Sequence, residues 1–386
     1  MKIKEFHVKN VKSFKEELSI KPSKFNLFIG ENSSGKSNLM NLMKIAIQSA
    51  NGTTVNIPPF DGRATEQSYF SCLIEFDRRD VEEMSSGEAF AQLVSESKTL
   101  QIPGIELLRN ETESFSKQPT LEFWSSWSRE GNMAIRQSFP AFRNLFMPDR
   151  TNPIDFYIQS RISFVSKIFN ITHQQILRNS IFVSDTRDLQ VNFKLSGWNQ
   201  NEPINADSIL TFVTRWKLND RPTYNNFITL VKSLLPRLAD LYVEPSGSDR
   251  ADLFIKESGL RNLFSGSEFS KGSREILVVL GALALARESS ILFIEEPEIH
   301  LHPSAVKELK SIMLDAVKNR NVQIVISTHY PLFLQGLYPE SDGDIKVFKF
   351  ENKNQSGNFV SEIRTDKEIS ELIEQLEFKE DGEKDS

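Results

Sequence analysis

The chain has 386 residues, of which 39% are hydrophobic and 25% charged; this is enough apolar material for a sizeable core and excludes the low-hydrophobicity signature of disorder. A formal net charge of −6 argues against a protein that coats nucleic acid through bulk electrostatics, although a local basic surface stays open. The single cysteine, Cys72, excludes an intrachain disulfide and a Cys-based zinc site, and the lack of an apolar run near the ~20 residues of a membrane span, or of an apolar leader after Met1, points to a cytoplasmic chain with no membrane partner.

In chain order, Ile3, Phe6 and Val8 among lysines, followed by Val11 and Phe14, predict an amphipathic edge strand and hairpin. Phe25 to Ile29 is a short apolar run that ends at Gly30, and Asn38 to Gln48 is dense enough in apolar residues for a buried helix. Between Ser68 and about Phe139 the alternating runs Tyr69 to Phe76, Ile105 to Leu108, Leu121 to Trp127 and Met133 to Phe139 predict an antiparallel β subdomain. The next stretch turns mainly helical, with segments Phe156 to Phe169, His173 to Ile181 and Ile209 to Leu218. The last third returns to α/β: helix Ile276 to Ala286, buried strand Ile291 to Ile294, helix Pro303 to Val317, buried strand Val322 to Ile326 and strand Ile345 to Phe350. The acidic tail Glu377 to Asp385 is expected to be a frayed, solvated end.

Gly30-Glu31-Asn32-Ser33-Ser34-Gly35-Lys36-Ser37 fits G-x4-G-K-S/T without a mismatch, between an apolar strand and an apolar helix that begins near Asn38. In that motif the glycines let backbone N–H groups turn around phosphate oxygens, Lys36 neutralises the β and γ phosphates, and the Ser37 hydroxyl can ligate Mg²⁺. The binding residues are thus Gly30 through Asn38, and the ligand is ATP with Mg²⁺. Ile291 to Ile294 is an apolar strand that delivers Glu295 and Glu296 to a sheet edge; Glu295 would hold the Mg²⁺ shell and Glu296 would orient or deprotonate the attacking water. Ile324 to Ile326, then Ser327-Thr328-His329, ends a further strand on a histidine that could sense the γ-phosphate. Ser270 and Gly272 precede an apolar helix and offer a second anion-binding surface, though a Ser/Gly stretch by itself fits a plain turn as well.

The order of these elements resembles the ABC ATPase superfamily, and within it the ATPase domains of the OLD (overcoming lysogenisation defect) family and related ATPases of bacterial antiphage systems such as Gabija, Septu and PARIS. Glu295-Glu296-Pro297-Glu298-Ile299-His300-Leu301-His302-Pro303 looks like their extended Walker B region, Thr328-His329-Tyr330-Pro331 like their switch-histidine segment, and Ser270-Lys271-Gly272 like their reduced signature. The likeness covers about residues 1–80 and 220–350. Glu295 stands where ABC ATPases usually carry Asp, a change common among OLD-like relatives that implies metal binding with slow turnover. The double glycine of transporter signatures is missing, which lowers the transporter reading, and Gln67 is the candidate Q-loop residue.

The resemblance implies an α/β fold: an ABC-type P-loop ATPase with a mixed central sheet, an antiparallel β subdomain and a mainly helical insertion. It divides the chain into an N-terminal lobe at 1–145, the insertion at 146–220 and a C-terminal lobe at 221–386. It also implies a head-to-tail homodimer or larger homo-oligomer in which one signature closes over the other protomer's nucleotide. Asp342-Gly343-Asp344 has the D-x-D look of a TOPRIM nuclease, but it lies in a hydrophilic turn with too little chain after it for that domain. The output is therefore expected from a separate effector, a nuclease, in antiphage defence; a RecF- or SMC-like DNA-binding ATPase is the alternative. His300 and His302 read as packing and hydrogen-bonding groups rather than metal ligands. The arginines and aromatics between Arg136 and Arg178 suit either a nucleic-acid or protein partner or the core of a helical subdomain.

Overall fold

The computed structural model of the chain describes residues 1–49, 54–60, 68–86, 120–127, 133–138, 169–183, 192–194, 206–248, 250–339, 342–352 and 357–384. It forms two compact units: Met1–Pro22 with Asn38–Asn179 and Asn352–Phe359, and Ser23–Ser37 with Ser180–Glu351 and Val360–Ser386. The expected strand Ile105 to Leu108, Gln67, most of the expected helix Phe156 to Phe169, and the arginine–aromatic cluster apart from Arg178 lie outside the described residues or side chains.

The first unit carries the expected antiparallel sheet. Its strand order is Leu18–Ile20, Lys2–Lys9, Tyr69–Glu75, Thr120–Trp127, Met133–Ser138, Thr54–Val55. Alternation buries Phe70, Cys72 and Ile74 on one strand. Ile3, Phe6 and Val8 do not share one parity, yet all three are buried, because the register shifts at a bulge between Ile3 and Glu5. The free Cys72 is a buried packing residue.

The second unit is built on a six-stranded sheet ordered Asn358–Ile363, Ile345–Asn352, Phe25–Gly30, Gln323–Thr328, Ile291–Glu295, Ser180–Val183. From Ile345–Asn352 through Ser180–Val183 every neighbouring pair is parallel. Such strands are covered on both faces and need unbroken apolar runs. Phe25–Gly30 and Gln323–Thr328 are accordingly buried at every position. Leu27, Ile29, Leu292, Ile294, Ile324 and Ile326 join one core with helices Lys271–Leu285, Pro303–Arg320, Ala206–Asn219 and Arg221–Leu234. A small antiparallel sheet, Leu238–Pro245, Arg250–Glu257 and Leu263–Ser265 with Asn192–Lys194, buries Ala251, Leu253 and Ile255 against the same core.

Three expectations are corrected. Lys2–Lys9 is not an edge strand: it lies between Leu18–Ile20 and Tyr69–Glu75, because its own short hairpin arm covers the outer side. The helix expected over His173 to Ile181 stops at residue 178, and Ser180–Val183 is a strand, paired in parallel with Ile291 to Ile294 and stacked on it through Phe182 and Phe293 at 4.8 Å. Periodicity cannot distinguish a four-residue apolar run from a helix end; the neighbouring strand decides. The acidic tail is not frayed from Glu377: helix Asp366–Lys384 runs through it, capped by Glu368 on the Arg364 and Thr365 N–H groups and anchored by buried Ile369 and Leu372.

Candidate functional site

Parallel pairing fixes where three strands end. Glu295 lies opposite Ser327, Thr328 opposite Ile29, and Phe350 opposite Gly30. The glycine loop, the glutamate pair and the histidine therefore leave the sheet at one carboxyl edge, where α/β folds bind ligands.

The loop starts at a residue that must be glycine. A Cβ on Gly30 would sit 2.3 Å from the Phe350 carbonyl oxygen, so a side chain would push apart the neighbouring strands Phe25–Gly30 and Ile345–Asn352. Ser33 (φ 62°) and Gly35 (φ 98°) then take left-handed conformations that fold the backbone back on itself, and the Ser34 N–H donates to the Glu31 carbonyl at 3.3 Å. Helix Lys36–Gln48 begins at once, with its positive end at the loop. The Lys36 side chain is buried. Its Nζ donates to the carbonyls of Gly30 (2.6 Å) and Glu31 (2.7 Å), with Ser34 Oγ at 3.5 Å. Burial lowers the Lys36 pKa against the pull of Glu296, Glu298 and Glu31. A desolvated ammonium among loop oxygens fits a polyphosphate, whose oxygens can replace those carbonyls. Glu31, Asn32, Ser33 and Ser37 are exposed on the rim, whereas the Asn38 amide donates to Ser13 Oγ at 2.9 Å.

Glu295 is the last residue of its strand; the Glu296 N–H donates to the Ser327 carbonyl at 2.7 Å, and Glu296 itself turns left-handed (φ 43°). That turn brings its carboxylate to His329, with Oε1 3.5 Å from Nδ1, close enough for an ion pair but without hydrogen-bond alignment. The His329 pKa is raised, first through Glu296 and then through Glu298, against burial and the nearby Lys36 charge. Lys36, Glu296, Glu298 and His329 thus form one electrostatic cluster. Glu298 is the member that motif reading left without a role. The available signal was a third carboxylate just past Pro297, in a loop that is otherwise apolar or imidazole-bearing.

Ser270 caps helix Lys271–Leu285: its Oγ accepts from the Ser273 N–H at 3.1 Å, and both Ser270 and Lys271 are exposed. Gly272 backs onto the glutamate loop, where a Cβ would lie 2.3 Å from the His300 carbonyl oxygen. Gly272→Ala is therefore expected to cost about 1–3 kcal/mol of stability by forcing the helix start away from that loop. A urea midpoint that falls at an unchanged slope would show it. His302 Nδ1 accepts from the Ser304 N–H (3.3 Å) and caps helix Pro303–Arg320. Asp342 and Asp344 stabilise the turn before Ile345–Asn352, with Asp344 paired to Lys24 at 3.0 Å. Among the described residues no helix is long and apolar enough to cross a membrane.

The fold and this site define a P-loop ATPase domain of the ABC type. Residues 25–335 match the family described as "AAA domain, putative AbiEii toxin, Type IV TA system", and the chain belongs to that family. No curated protein matches it. Among solved structures, an Smc head bound to the C-winged helix domain of ScpA is 13% identical with a TM-score of 0.54, over 95% of this chain and 99% of that one. An Smc head domain with an extended coiled coil, bound to the C-terminal domain of ScpA derived from Pyrococcus furiosus, is 11% identical with a TM-score of 0.50, over 97% and 99%. At these identities the likeness is one of fold.

Proposed function

We propose that the chain binds Mg·ATP at this sheet edge and hydrolyses it. The observation that carries the reading is the meeting of Lys36, Glu296 and His329 at the ends of neighbouring parallel strands. Loop N–H groups and the helix start hold the phosphates, while Lys36 exchanges its loop carbonyls for β and γ oxygens. Ser37 and Glu295 would hold Mg²⁺, which when bound neutralises charge between the β and γ phosphates. Glu296 accepts the proton of the water that attacks the γ-phosphorus as the bond to the β–γ bridging oxygen breaks and ADP leaves. His329 buries Nδ1 beside Glu296 and leaves its outer edge free to donate to the γ-phosphate.

The exposed Ser270 cap supports the further reading of a head-to-tail dimer, in which that helix start closes over the partner's nucleotide. ATP then favours the closed state and hydrolysis releases it. The family's description as a putative toxin of a toxin–antitoxin system supports a role in such a system; control of a separate effector, a nuclease, in antiphage defence rests on the resemblance of the motifs to OLD-type ATPases. The Smc-head fold favours a second reading, a DNA-binding ATPase, for which DNA retention would rise with ATP in the absence of any effector.

The purified chain is expected to release phosphate from ATP only with Mg²⁺, to lose that activity in EDTA, and not to cleave plasmid DNA. Phosphate release that ignores metal removal, or plasmid cleavage abolished by Asp342→Ala, would count against the reading.

A further inference from the structure

Glu298 is buried, its side chain only 5% exposed, at the edge of the site. One oxygen, Oε1, accepts from the Thr328 hydroxyl; the other, Oε2, has no hydrogen-bond partner among the described residues. A buried carboxyl with half of its acceptors unmet costs free energy that packing alone does not return. Its surroundings indicate what it holds. Thr328 Oγ1, while donating to Glu298, accepts from the Tyr330 N–H at 2.9 Å. Thr328 and Tyr330 are the two neighbours of His329, so one carboxyl fixes the backbone on both sides of the histidine. The same Oε1 lies 3.8 Å from His329 Nδ1, beside the 3.5 Å approach of Glu296. The ring is 42% exposed, yet Nδ1 is fully buried, so the edge away from Nδ1 is the one that faces out. Glu298 also belongs to the tight turn after the glutamate pair, where its carbonyl accepts from the Leu301 N–H at 2.9 Å.

We infer that Glu298 is a positioning residue for His329: through Thr328 and directly at Nδ1 it holds the imidazole between two carboxylates, with the opposite ring edge presented to the nucleotide. The inference rests on the ATPase reading above. Glu296 has a second task at the attacking water, so a second carboxylate keeps the ring in place when Glu296 engages that water. Lys36 is the remaining charged group acting on the ring, and its positive charge opposes protonation of the imidazole.

The test is Glu298→Gln, which keeps the shape and an acceptor for Thr328 but removes the charge, alongside Thr328→Val, which removes the hydroxyl bridge and keeps the carboxyl. Both are expected to lower kcat for ATP about 10- to 100-fold, the usual cost of losing a group that orients a functional histidine, with KM for ATP unchanged. The chain has five histidines, so selective histidine labelling gives few NMR signals, and His329→Ala assigns the relevant one. In nucleotide-free protein that signal is expected to report a ring protonated at both nitrogens and held in one environment in the wild type, and a shifted, broadened signal in either variant. Wild-type kcat, or an unmoved His329 signal, in both variants overturns the inference. If Glu298→Gln does not fold, Thr328→Val alone decides. A wild-type protein that releases no phosphate refutes the underlying ATPase reading instead, and is distinguished because the failure then appears before any substitution is made.

Discussion

Lys36→Ala is expected to weaken ATP binding by roughly 10²–10⁴-fold. A hydrogen bond to a charged group contributes about 1.5–3 kcal/mol, and the ammonium can meet two phosphate oxygens, which together span two to four decades of affinity. The free protein shows why no neighbour substitutes. Nζ is buried at the base of the loop, in contact with the Gly30 and Glu31 carbonyls, and the cluster around it is otherwise dominated by the carboxylates of Glu31, Glu296 and Glu298. Without Lys36 the phosphates would face those carboxylates with no lysine or arginine, among the described residues, in that electrostatic cluster. Calorimetry should record no measurable ATP heat in the variant. Thermal melts supply the control: saturating ATP at a hundred times Kd should stabilise the wild type by about 2.7 kcal/mol and leave the variant unmoved. Equal ATP affinity in the two proteins would remove the phosphate-loop assignment.

The site was legible where chemistry is written in contiguous chain. Gly30 to Ser37 could be read directly, because strand, glycine turn and helix are local geometry, and the structure adds only the reason that Gly30 tolerates no side chain, the Phe350 carbonyl. Glu295 and Glu296 were legible as the polar end of a buried strand, as was His329. What lay beyond reach depended on residues distant in sequence. Ser180–Val183 is a strand because Ile291–Glu295 is there to pair with it. Gly272 reads as a flexible turn residue, yet its actual constraint is the His300 carbonyl. Glu298 looks like one more surface acid until Thr328 and His329 are folded over it. The bulge at Ile3 to Glu5 likewise hides behind an alternation that fits neither parity.

Glu296→Gln should separate binding from turnover. The amide cannot accept the water's proton, so hydrolysis should fall by at least the ~10²-fold typical of losing a general base, while Lys36 and the loop still bind the nucleotide. On the proposed cycle, in which hydrolysis releases the closed state, an ATP-bound assembly of twice the chain mass should accumulate in this variant and be visible by light scattering. Ser270→Arg should do the reverse. Its own phosphate loop stays intact, but a long cation occupies the exposed helix start where the partner's nucleotide has to dock. Closure should fail and ATP should bind without turnover.

The most direct measurement is ATPase activity in an equal mixture of Ser270→Arg and Lys36→Ala chains, each inactive by itself. In a head-to-tail pair the mixed dimer rebuilds one composite site, with the loop from the first chain and the signature from the second. Random pairing then gives roughly a quarter of wild-type turnover. That recovery, together with ATP-dependent dimerisation of the mixture, is the expected result. A mixture as inactive as its two components, with no ATP-stabilised assembly of Glu296→Gln, would mean that Ser270 merely caps a helix and that each chain handles its nucleotide alone.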